Sequence, residues 1–89
     1  MESEQIVQGS IIDSWVERTG THRHSPRLVL QVAPRGRPRE LLIVEAEASL
    51  LADAGWLEDL GANLCHGNLV AASGRLNRRG WLDATRIDL

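Results

Sequence analysis

Phenylalanine, tyrosine and lysine are missing from this chain of 89 residues, and cysteine occurs once. With three Trp as the whole aromatic complement, a core has to be built from Leu, Ile, Val and Ala, which suits a small barrel filled by aliphatic side chains. The lone Cys65 excludes an internal disulfide. No apolar run approaches the ~18 residues of a spanning helix, so no membrane segment is expected. Met1 to Glu4 has neither the basic start nor the apolar run of a signal peptide, which makes the cytoplasm the expected location. A chain of this size is expected to form one domain, 1–89, that buries somewhat more than ~60% of its unfolded surface. It has no room for a catalytic domain beside a regulatory one.

Every basic residue is Arg, and the formal net charge of −2 hides a segregated pattern. From Arg18 to Arg39 there are six Arg, two His and no acid; from Glu40 to Leu60 there are six acids and no base. Charge separated in this way is either a solvated face or a positive surface on an acidic protein, the form in which it bears on anionic partners.

The last third of the chain sets the architecture. Two aliphatic runs between Gly67 and Leu89 flank Asn77-Arg78-Arg79-Gly80, and a Gly-ended polar turn between such runs marks a β-hairpin. Val70, Ala72, Gly74 and Leu76 share a face at period two, and the mid-strand Gly74 implies a bend or a close backbone approach. In the closing run, Leu82 and Ala84 fall on one face and Ile87 and Leu89 on the other, so either a bulge shifts the register or both faces bury. A first strand is predicted from Gln5 to about Val16, with Val7, Gly9 and Ile11 on one side. Glu17 to Pro26 reads as a loop. A second strand, Arg27 to Val32, places Leu28, Leu30 and Val32 opposite Arg27, Val29 and Gln31. Ala33 to Arg39, with two Pro and a Gly, reads as a connecting loop. A third strand, Leu41 to Ala46, is apolar on both faces and needs cover on both. Ser49 to Leu60 then changes period, and Leu50, Ala54 and Leu57 predict one short helix, capped by Ser49 and ended by Gly61.

The prediction is therefore an all-β, five-stranded barrel with a short helix between strands three and four. The run Leu64-x-x-Gly67-Asn68-x-Val70-x-Ala72-x-Gly74-Arg75-Leu76, then Trp81 and Ala84-x-x-Ile87, resembles the closing strands of oligonucleotide/oligosaccharide-binding barrels. Within that fold the chain is most similar to bacterial single-stranded DNA-binding proteins and the primosomal replication protein N family. The resemblance covers nearly the whole chain. It implies binding of single-stranded nucleic acid in DNA replication or replication restart, DNA before RNA, by a homodimer that uses no cofactor.

Catalytic and metal chemistry find little support. His22 and His24 fall in a loop, Cys65 and His66 are adjacent rather than spaced as a chelate, and neither a phosphate loop nor Gly-x-Ser-x-Gly occurs. No enzymatic activity and no metal site are expected. Single-strand binding needs a cationic track for phosphates and flat side chains for bases. In the barrel named above, the ligand faces strands two and three and the loops joining one to two and four to five. Arg18, Arg23, Arg27, Arg35, Arg37 and Arg39 map to strand two and its flanking loops, and Arg75, Arg78 and Arg79 to the four–five hairpin. Trp15 and Trp81 are expected either to flank the groove or to supply bulk to a core that lacks Phe and Tyr, and Arg also stacks on bases. Where such relatives carry aromatics on strands two and three, this chain has Val29, Gln31, Leu41 and Ile43. That apolar row defines the alternative, a protein-interaction barrel acting as a small subunit or adaptor.

Overall fold

The computed structural model describes residues 4–17, 27–50, 55, 58–59, 62 and 66–88. It contains five strands: β1 (Gln5–Glu17), β2 (Arg27–Pro34), β3 (Leu42–Glu47), β4 (Leu69–Leu76) and β5 (Leu82–Asp88). They close into a barrel in the order β1-β2-β3-β5-β4, with β3 and β5 parallel and the other pairs antiparallel. The order is consistent with the oligonucleotide/oligosaccharide-binding barrel. Of the expected helix, most residues lie outside those described. Its start is a 3₁₀ turn, Ala48–Leu50, whose Leu50 packs against the core.

Closure depends on β1, which is long enough to serve two neighbours. Gln5–Ser10 pairs with β4, while Gly9–Glu17 pairs with β2. An extra residue, Ile12, interrupts the ladder with β2, so inward positions change from Val7, Gly9 and Ile11 to Ser14. The same device solves the register question in β5. Ser73 faces Arg86 and Gly74 faces Ala84, which leaves Thr85 as the bulged residue and turns Leu82, Ala84 and Ile87 all inward. A methyl at Gly74 would overlap the Asp83 carbonyl oxygen, and one at Gly9 the Ala33 carbonyl oxygen. These two glycines let strands cross at the tight corners of a five-stranded ring.

The interior is aliphatic, as the composition requires. Ile11, Leu28, Leu30, Val32, Val44 and Leu82 are buried at its centre, joined by Ala46, Val70, Ala72, Ala84 and Ile87. Each large member contributes about 1.5–3 kcal/mol through removal of its apolar surface from water. Two sequence boundaries move. β2 runs on to Pro34, which pairs with Gly9, because a proline is tolerated where a strand ends and no further ladder N–H is needed. β3 starts at Leu42, leaving Leu41 46% exposed, whereas Ile43 is half-buried. No helix among the described residues is long and apolar enough to cross a membrane.

Candidate nucleic-acid interface

Strand register sets Trp15, Val29, Glu45, Asp83 and Arg75 side by side on the outer surface, one from each strand. Val29 stands outside the barrel interior yet is fully buried, so neighbouring side chains close over the middle of this surface. Arg27, two residues before Val29 on β2, faces the same side. Its Nη2 donates to Asp83 Oδ1 at 3.0 Å and lies 3.8 Å from Glu45 Oε2, with Arg27 and Glu45 only 14% and 13% exposed. The charge of Arg27 is thus held by two carboxylates of the barrel itself. With Glu45, Glu47 and Asp83 all facing outward, the centre of the β2–β3 face is poorly suited to phosphate.

The positive charge gathers elsewhere, for a topological reason. Because β3 and β5 run parallel, with Val44 opposite Leu82, the loops that precede them leave from the same end of the pair. One is the β2–β3 loop with Arg37 and Arg39; the other is the β4–β5 hairpin with Arg78, Arg79 and Trp81. Trp81 precedes the inward Leu82, which turns it outward at the level of Ile43. Trp15 on β1 is separated from the start of β5, where Trp81 stands, by β2 and β3 on one side of the ring and by β4 on the other.

Asn77 builds the hairpin tip. Its Oδ1 accepts from the Arg79 N–H at 2.9 Å and the Trp81 N–H at 3.2 Å, and its Nδ2 donates to Glu45 Oε2 at 3.4 Å. The Asn77 N–H donates to the Trp81 carbonyl at 2.8 Å, and Gly80, at φ 79°, donates to the Asn77 carbonyl at 3.0 Å. This is a three-residue hairpin loop with its last residue left-handed. The loop so fixed places the Arg79 guanidinium over the Trp81 ring, 5.1 Å from its centroid, where cation and ring quadrupole attract.

The remaining predicted residues divide. Arg39, Arg75 and Arg78 make no ion pair with any described residue, and Arg37 pairs at 3.6 Å with Glu40 while both stay exposed. Arg75 sits on β4 opposite Asp83. Arg35, on the same β2–β3 loop, lines a cleft against β1 and β4, its N–H donating to the Gln8 carbonyl at 2.7 Å. The Trp15 Nε1 donates to Glu17 Oε1 at 3.4 Å. Arg18 and Arg23 lie outside the described residues, as do His22, His24 and Cys65. His66 Nε2 is 3.6 Å from Asp13 Oδ1. Among the described residues, no group of three or more His, Cys, Asp or Glu is placed to hold a metal ion.

Sequence reasoning missed Asn77, Glu45 and Asp83. Only Asn77 left a signal, since an Asn opening a polar turn favours side-chain capping of the backbone two residues on. No protein-family model matches the chain, and no curated protein matches it in sequence.

Proposed function

We propose that this barrel binds single-stranded nucleic acid, DNA in preference to RNA, without catalysing a reaction. The observation that carries the proposal is the parallel β3–β5 pair. It gathers Arg37 and Arg39 from one loop, and Arg78, Arg79 and Trp81 from the other, at one end of the barrel. Phosphates would follow the guanidinium groups, and a base would stack against the Trp81–Arg79 pair. The resemblance to single-stranded DNA-binding proteins and the primosomal replication protein N family supports the same reading. Trp fluorescence titrated with oligo-dT at two salt concentrations tests it. Quenching that weakens steeply with salt is expected, since each phosphate contact on a single strand contributes about −0.7 to the slope of log K against log salt.

A second reading has its own support: Leu41 is 46% exposed and Ile43 half-buried on a face whose centre carries Glu45 and Asp83. Such a surface suits a protein partner, with the barrel as adaptor. Absence of oligonucleotide binding at low salt would leave that reading in place of the first.

A further inference from the structure

Beside the hairpin, Arg75, Leu76, Asn77, Arg78 and Asp83 line an open pocket of about 420 Å³, within the ~300–1,000 Å³ usual for small-molecule sites. Its polar groups are not equally free. The Asn77 amide is spent on the loop and on Glu45, its Oδ1 accepting from two backbone N–H groups and its Nδ2 donating to Glu45 Oε2. Asp83 Oδ1 accepts from Arg27 at 3.0 Å, which anchors the carboxylate, while Oδ2 has no partner among the described residues. Strand register sets Arg75 directly across from Asp83, yet neither Arg75 nor Arg78 makes an ion pair with a described residue. The pocket thus offers a ligand one anchored acceptor beside a free donor fork, with Leu76, 39% exposed, as an apolar wall. Asp83 and Trp81 flank the inward Leu82 and so face outward together, roughly 7 Å apart along the strand.

We infer that this pocket reads the edge of a base and selects cytosine against thymine. The inference rests on the single-strand reading and adds a base preference to it. On its pairing edge cytosine carries a donor, the N4 amino group, followed by two acceptors, N3 and O2. Asp83 Oδ2 accepts from N4, and the Arg75 guanidinium donates to N3 and O2 as a fork. Thymine carries the order carbonyl, N–H, carbonyl, and turns its O4 against the carboxylate. Guanine presents two adjacent donors that call for both oxygens of one carboxylate, and Oδ1 belongs to Arg27. Adenine satisfies Asp83 with N6 and one guanidinium N–H with N1, but has no second acceptor for the fork. The acidity that makes the centre of this face unsuited to phosphate thus suits it to a base amino group.

Competition between oligo-dC and oligo-dT, read by Trp fluorescence at mildly alkaline pH where cytosine is neutral, tests it on the full chain. Oligo-dC should bind roughly fivefold or more tighter, the low end of what a bidentate base contact contributes. An oligonucleotide with 2-pyrimidinone in place of cytosine lacks only the N4 amino group and should lose that advantage on the wild-type protein, whatever becomes of any variant. Asp83→Ala should bring oligo-dC down to oligo-dT without weakening oligo-dT. Arg75→Ala should reduce the preference as well, with the oligo-dT salt slope unchanged because its contact is to the base. Equal binding of oligo-dC and oligo-dT overturns the assignment, as does tighter binding of oligo-dA than of oligo-dC, or a preference that survives loss of the N4 amino group. Any of these with salt-dependent oligo-dT binding intact leaves the single-strand reading standing. Failure of every oligonucleotide to bind at low salt removes that reading and the base preference with it.

Discussion

The Arg27 Nη2 donates to Asp83 Oδ1 at 3.0 Å, and this bond joins β2 to β5, two strands that are not neighbours in the barrel. Glu45 of the intervening β3 lies 3.8 Å from the same nitrogen. One guanidinium therefore ties three strands together over the place where β3 and β5 share only a two-residue ladder. The shortest seam of the barrel is thus reinforced by a side chain from β2.

Arg27→Ala should accordingly act on folding. It removes the charge-assisted hydrogen bond to Asp83, a kind of bond worth about 1.5–3 kcal/mol, and also leaves Glu45, 13% exposed, without its cation. For a domain of this size the melting temperature should fall by roughly 10 °C. Asp83→Ala should cost less, since Asp83 is 52% exposed and its carboxylate is better solvated. Thermal denaturation followed by circular dichroism distinguishes the two. Equal melting temperatures for Arg27→Ala and wild type would show that the bond contributes nothing to the seam.

Gly74→Ala places a methyl against the Asp83 carbonyl, backbone against side chain with no flexible group to yield. Overpacking of this sort costs about 1–3 kcal/mol, and more where the backbone itself has to shift. Gly9→Ala should behave alike at the β1–β2 crossing, whereas Ser73→Ala, one residue away and outside the corner, should be nearly neutral. Urea midpoints for the three variants check the ranking.

What was legible in the sequence was whatever depends on local periodicity. The alternating aliphatic runs of β1, β2 and β4 and the hairpin turn follow from period two and turn chemistry. In β5 the sequence showed that Leu82, Ala84 and Ile87 cannot share a face in a regular strand and left a bulge and burial of both faces as alternatives; the structure has the bulge. The burial of Val29 was not, since period two assigns it to solvent beside Arg27 and Gln31. Nor was the engagement of Arg27, which is 56 residues from Asp83. The two Arg loops were legible as charge, but their common position depends on the parallel β3–β5 pairing, a long-range contact that no local pattern encodes.

Asn77 gives a sharper test of the hairpin. Asn77→Ala removes the acceptor of the Arg79 and Trp81 N–H groups, at about 0.5–1.5 kcal/mol for each bond. Asn77→Asp keeps that acceptor but turns a carboxylate toward Glu45, where Nδ2 had donated. Its destabilisation should therefore shrink as salt screens the two charges, while that of Asn77→Ala should not. Melting temperatures at low and high salt separate the cases, and parallel salt curves for both variants would show that Nδ2 is not held against Glu45.

Arg78 and Arg79 are neighbours on one loop, yet they are expected to differ. Arg78 has no ion pair among the described residues, so Arg78→Ala should lose one phosphate contact and flatten the single-strand salt slope by about 0.7, with the melting temperature unchanged. Arg79 also lies over the Trp81 ring. Arg79→Ala should flatten the slope by a similar amount and in addition change the fluorescence of the unliganded protein, because the indole loses its cationic cover. Arg37→Ala with Arg39→Ala probes the other loop, and its effect on the slope should add to that of Arg78→Ala if one strand spans both. Trp81→Ala should weaken binding by about 1–3 kcal/mol while leaving the slope intact, since stacking releases no counterion. A Trp81→Ala variant that instead loses folding stability, with binding unaltered in the folded fraction, would assign the indole to packing and remove base stacking from the proposed interface.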